Sequence, residues 1–221
     1  YLALPSETDS FIRNPWTIIS YMFIHQEILH ILFNLLWLYF GGKLFLQYFT
    51  DKQLVSTYIL GGMFGGLIYI LAFNVFPVFK SFPYVGSVAI GASASVLAIF
   101  IAIATYKPKY RINLTFIGNT SIKNIAIFLV ILDFLLISQD NAGGHIAHLG
   151  GAMFGYLYII LIKKGYDISL NFYNIIGFFN FTKTRKKSKK KRSSKGNDDL
   201  FRSKKSKKQK KINIVLEKIS K

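Results

Sequence analysis

Five apolar runs fill most of the sequence between Ile28 and Lys163, near residues 28–49, 54–76, 87–106, 122–138 and 145–163. A helix needs about 20 residues to cross the hydrocarbon core of a bilayer, so each run is long enough to cross or nearly cross it. Inside lipid the backbone must satisfy its own hydrogen bonds, and an apolar run of this length does so as a helix. The alternative is a soluble protein with buried helices, but the first 182 residues leave too little polar surface to wrap five of them. The expectation is an all-α, polytopic membrane helix bundle with five spans.

The chain carries a formal net charge of +18, which would suit nucleic acid if it were evenly spread. It is not. Residues 183–221 hold 18 Lys/Arg against 3 Asp/Glu, a net of +15, and residues 1–182 hold 10 against 7, a net of +3. Aromatic residues beyond Phe181 reduce to Phe201, so no nucleic-acid partner is expected. The tail from Thr182 is polar and expected to be largely disordered. Its basic block holds the preceding helix end inside the cell and offers attraction to anionic lipids. Ile212, Ile214, Val215, Leu216 and Ile219 have the spacing of a short amphipathic helix. The absence of cysteine excludes disulfides and thiolate chemistry. No signal-like segment precedes the apolar body, and the chain is expected to lack its natural start before Tyr1.

Loop charges set a direction. One set of loops holds Lys43, Lys52, Lys107, Lys109, Arg111 and Lys123, and the opposite set holds Arg13 and Lys80. The positive-inside rule then makes the tail cytoplasmic, with a bacterial inner membrane as the expected site. Residues 1–27 form an extracytoplasmic segment broken by Pro5, Arg13, Asn14 and Pro15, with Trp16, Tyr21, Met22 and Phe23 suited to headgroup depth. Residues 28–164 are the transmembrane core, and 165–221 the tail.

Within that core, polar side chains stand where they are costly. Ser93, His148 and the His30/Asn34 pair lie at the outer ends of three different spans. Intramembrane polar groups usually face a cavity or one another and mark function. A serine, an imidazole and a carboxamide are the parts of an acyl-transfer site: nucleophile, general base and oxyanion donor. Gly91 suggests that the helix begins at Ser93, where free backbone N–H groups and the dipole favour negative charge. Gly91, Ser95, Ala98 and Ala102 make a small-residue stripe, and Gly151 and Gly155 a GxxxG, which let the two helices approach.

Blander roles are expected for several neighbours. Ser95 and the pairs Gly61-Gly62 and Gly65-Gly66 read as packing, His145 as a loop contact, and His25 as a brace for the first loop. Asp133 either orients a polar partner or stays protonated, a catalytic third member being the less favoured option. A zinc site built from His25, His30, His145 and His148 is disfavoured, since no HExxH accompanies them.

Taken together, Trp16-Thr17, Phe23-Ile24-His25, His30 with Asn34, Gly41-Gly42, Gly91-Ala92-Ser93 and Ala147-His148-Leu149-Gly150-Gly151 resemble the rhomboid family of intramembrane serine proteases. The resemblance implies a catalytic dyad of Ser93 and His148, with Asn34 and His30 stabilising the oxyanion. It implies cleavage of single-span, membrane-anchored proteins near their extracytoplasmic boundary, with no cofactor and no metal. An inactive relative that binds client transmembrane helices is the alternative. The chain departs from the family pattern in three respects. A sixth span would have to precede Tyr1, Ala94 replaces a common glycine, and Leu97 stands where some members stack an aromatic on the histidine.

Overall fold

Polar chemistry at their ends sets the limits of the helices into which the apolar runs fold. A computed structural model describes residues 2–81, 86–114, 118–138, 141–169 and 172. Its principal helices are α3 (Ile28–Phe45), α4 (Asp51–Val75), α5 (Ser93–Tyr106), α6 (Ile122–Leu136) and α7 (Ala142–Lys163). Before α4, the Thr50 hydroxyl accepts the Gln53 N–H and Gln53 Oε1 accepts the Thr50 N–H, a reciprocal capping box. The Ser121 hydroxyl caps α6 through the Asn124 N–H. Asn141, at φ 65°, caps α7 through the Gly144 N–H.

Three of the five, α3, α4 and α7, are long and apolar enough to cross a membrane; α5 and α6 have 14 and 15 residues. The five-span expectation is thus met in full length at three positions. The third run shortens because Val88–Ala89 is not helical: it forms a strand, β2, paired antiparallel with β1 (Leu4–Pro5). Gly91, at φ +115°, then turns the chain into α5. Between α5 and α6 lies a hairpin that the sequence reading did not anticipate, β3 (Arg111–Leu114) with β4 (Gly118–Ser121).

The segment before α3 also holds α1 (Thr8–Arg13) and α2 (Thr17–Ser20). Trp16 and Phe23 are exposed, as suits headgroup depth, but Tyr21 and Met22 are not. The Tyr21 hydroxyl donates to the Gly62 carbonyl at 2.6 Å, and Met22 lies against Gly62. Glycine at 62 opens space on α4 for Met22 and glycine at 66 for Tyr21, which is why both are core.

At the centre of the bundle α4, α5 and α7 pack against one another. A Cβ at Gly151 would run into the Ala94 carbonyl oxygen, and one at Gly155 into that of Ala98. The expected GxxxG therefore brings α7 onto the backbone of α5. Gly65 faces the Ala147 carbonyl and the Ala94 methyl in the same way, so the α4 glycines serve packing. Outward, Ile28, Leu32, Phe33 and Leu36 of α3 and Phe128, Phe134 and Leu135 of α6 are exposed, an apolar area suited to lipid. At the other end of the bundle from Ser93, Lys107 stacks on the Tyr48 ring at 5.1 Å and Lys163 donates to the Thr105 carbonyl. The basic tail and the Ile212–Ile219 pattern lie outside the described residues.

Because Gly151 and Gly155 meet backbone rather than side-chain ends, Gly151→Ala and Gly155→Ala should each cost about 1–3 kcal/mol. Leu157→Ala, on the exposed face of α7, should change little. Thermal unfolding in detergent checks this; equal midpoints for all three variants would contradict the packing described.

Candidate active site

Ser93 is the first residue of α5, and four contacts hold the turn that presents it. The Gly91 N–H donates to the Tyr21 carbonyl at 2.9 Å, and the Ala92 N–H to His25 Nε2 at 3.3 Å. The His30 ring lies against Gly91, where a Cβ would come within 2.8 Å of its Cε1. His25 and His30 meet edge to face, 5.0 Å between centroids. His25 therefore braces the turn before Ser93, where a brace for the first loop was expected. Burial, and after it the adjacent His30, holds the His25 pKa below the usual imidazole value. The neutral ring is the form that can accept at Nε2.

Across the helix contact, His148 occupies the second turn of α7. The Ser93 hydroxyl donates to His148 Nε2 at 2.5 Å. The two residues singled out from the sequence, 55 positions apart, are in direct contact. On its other side, His148 Nδ1 lies 2.8 Å from Asp133 Oδ1, and so does His145 Nδ1. A carboxylate only accepts, so both Nδ1 atoms carry the hydrogen, which leaves His148 Nε2 as an acceptor for Ser93. Asp133, for which an orienting role, a protonated state and a less favoured catalytic role were all open, is thus a direct partner of His148. The signal in the sequence was a lone carboxylate within an apolar run.

Asn34 is buried on α3, and its Nδ2 donates to the His30 carbonyl at 3.0 Å, which uses one of its two amide hydrogens. With Ser93, His148, Asp133 and His145 it lines an open cavity of about 220 Å³ whose apolar wall includes Trp37, Leu97, Phe100 and Leu132. The structure brings Asn34, Ser93 and His148 to one cavity. His30 instead packs behind it, on the loop that leads to Ser93. Ser95 is fully buried against Gly62, consistent with packing. Ala94 is buried where Gly65 makes room for its methyl, and Leu97 forms part of the cavity wall.

The donor atoms of Asp133, His145 and His148 all lie within 4.8 Å of one another, a set able to attract a metal ion. This supplies the carboxylate that the four-histidine reading lacked. The spacing nevertheless favours hydrogen bonds. Ligands about 2.0–2.1 Å from a tetrahedral zinc stand about 3.3 Å apart, whereas each Nδ1 here sits 2.8 Å from the same oxygen.

The family model for the rhomboid domain matches residues 13–165, which include every residue of this site. The chain belongs to the rhomboid family. It is 29% identical over 158 residues to RHOMBOID-like protein 12, mitochondrial, of Arabidopsis thaliana, covering 67% of this chain and 47% of that protein. To presenilin-associated rhomboid-like protein A, mitochondrial, of Danio rerio, identity is 27% over 140 residues, covering 62% and 35%. To rhomboid protease GlpG of Yersinia pestis it is 39% over 67 residues, covering 30% and 23%. The chain thus spans less than half the length of these relatives. Family and apolar helices together make it a membrane protein; its relatives are mitochondrial as well as bacterial.

The lowered His25 pKa has a testable sign. The folded state binds fewer protons at His25 than the unfolded chain, so stability falls as pH drops below about 6.5. Thermal midpoints should fall between about pH 7.5 and pH 5.5, and His25→Gln, which does not titrate, should flatten part of that slope. An unchanged slope in His25→Gln would contradict the assignment.

Proposed function

We propose that this rhomboid is an intramembrane serine protease that hydrolyses single-span, membrane-anchored proteins. The observation that carries this reading is the contact between Ser93 and His148 Nε2, the arrangement a serine needs to become a nucleophile. Ser93 Oγ attacks the scissile carbonyl carbon as its proton passes to His148 Nε2. The tetrahedral intermediate collapses, the C–N bond breaks, and the leaving amine takes the proton from His148. Water then repeats the sequence on the acyl-enzyme and restores Ser93.

Negative charge on the substrate oxygen needs donors placed in advance. The Ser93 backbone N–H lies at the start of α5, where the helix leaves such groups unpaired. The remaining Asn34 amide hydrogen is the second donor. His30 contributes by fixing the loop before Ser93, and as a donor in its own right where its ring turns toward the site. The apolar walls around the 220 Å³ cavity suit a small or apolar substrate side chain. No cofactor or metal enters this chemistry.

In this reading all five apolar helices cross the membrane, and the site opens toward the extracytoplasmic side. α5 contributes about 21 Å, at 1.5 Å per residue, so Ser93 sits below the outer surface with room above it for water. Residues 1–27 form the outer segment, 28–164 the core and 165–221 a cytoplasmic tail in contact with anionic lipid, in a bacterial inner membrane. Nucleic acid is not a partner.

Cleavage of a model single-span substrate in liposomes tests the proposal. Ser93→Ala and His148→Ala should each lower kcat by about 10³-fold or more with the fold intact. Asn34→Ala should lower it by about 10²–10³-fold. Parental cleavage by Ser93→Ala would overturn the mechanism. A parent that neither cuts nor reacts with a fluorophosphonate would point to a client-binding rhomboid instead.

A further inference from the structure

The serine–histidine pair does not end at His148. Asp133 comes from α6, whose outer face is otherwise lipid-facing, and its side chain is mostly buried. Its Oδ1 accepts from His148 Nδ1 and from His145 Nδ1, each at 2.8 Å. One carboxylate oxygen has two lone pairs, and both are used here. A buried carboxylate needs partners, and two imidazoles on one face of α7 would satisfy that need alone. The direction of the bonds does more: it decides which nitrogen of His148 is bare.

We infer that Asp133 is a positioning residue that extends the pair to a Ser93–His148–Asp133 triad, with His145 fixing the carboxylate from its other side. The inference rests on the serine-protease reading above. A neutral imidazole carries its hydrogen on either nitrogen, and only the Nδ1–H form leaves Nε2 free to take the Ser93 proton. Asp133 selects that form before substrate arrives. When His148 becomes imidazolium, the same carboxylate lies 2.8 Å from the new charge, in a setting where water screens little. His145 holds the Asp133 rotamer, so that the carboxylate does not turn into the apolar wall formed by Leu132 and Leu136.

The carboxylate reaches the site from a third helix. Ser93 and His148 are fixed by the α5–α7 contact, whereas Asp133 depends on how α6 lies against α7. Movement of α6 would therefore change the state of His148 without separating it from Ser93.

Parent, Asp133→Asn, Asp133→Glu and Ser93→Ala are compared on the same single-span substrate in liposomes. Asparagine keeps the shape but offers an N–H to His148 and favours the wrong tautomer. It should lower kcat by about 10²–10⁴-fold with KM changed by less than about threefold. Asp133→Glu, which restores a carboxylate, should recover part of the loss. Parental kcat in Asp133→Asn, or a loss confined to KM, would overturn the inference. Full cleavage by Ser93→Ala would instead remove the protease reading itself. A second measurement needs neither activity nor a folded Asp133 variant. In parent protein with ¹⁵N-labelled histidine, the His148 signals, assigned by their loss in His148→Gln, should show Nδ1 protonated and Nε2 bare near neutral pH. The opposite tautomer would overturn the triad whatever the protein cleaves.

Discussion

The polar end of this bundle depends on how closely α7 can approach α5. Gly151 meets the Ala94 carbonyl and Gly155 meets that of Ala98, so no side chain separates the two backbones. In lipid there is no hydrophobic drive to push helices together, and such close packing supplies the attraction instead. The contact also sets the site. Ser93 adjoins Ala94, and His148 stands three residues before Gly151. Once the glycines seat, the Ser93 hydroxyl and the His148 imidazole come within hydrogen-bond reach.

A set of polar groups in an apolar body must satisfy itself. Here Ser93, His148, Asp133 and His145 form a continuous chain of hydrogen bonds drawn from α5, α6 and α7. Each member uses a valence that would otherwise be orphaned at high cost. The loop before Ser93 is also held from several sides. Tyr21, His25 and His30 fix the Gly91-Ala92 turn from the segment that precedes α4. That explains why a short amphipathic stretch outside the main helices is buried at Tyr21 and Met22: it is the support for the turn that presents Ser93.

Much of this was legible in the sequence, and what was not has physical reasons. The small-residue spacings at Gly151, Gly155 and Ala98 announced a close helix contact, and Gly91 announced the start of α5. Ser93, His148 and Asn34 stood out because polar groups in apolar runs are costly, and their common depth could be counted from helix ends. The start of the third apolar run, ahead of Gly91, was not legible as a strand because Val88 and Ala89 are apolar in a strand as well as in a helix; only pairing with Leu4–Pro5 distinguishes the two. The burial of Tyr21 depends on the Gly62 carbonyl, 41 residues away, and on room left by Gly66. Asp133 was noticed but not placed, since periodicity says nothing of how α6 rotates about its axis. Hydropathy alone also does not predict the β3–β4 hairpin.

The central claim is that His148 activates Ser93. Reaction of the membrane-reconstituted chain with a fluorophosphonate, mapped by peptide mass spectrometry, tests it most directly. The account predicts a single modified serine, Ser93 and not the buried Ser95, with labelling lost in His148→Ala of unchanged thermal stability. A folded chain that takes no label, or a Ser93 that labels equally well without His148, would contradict it.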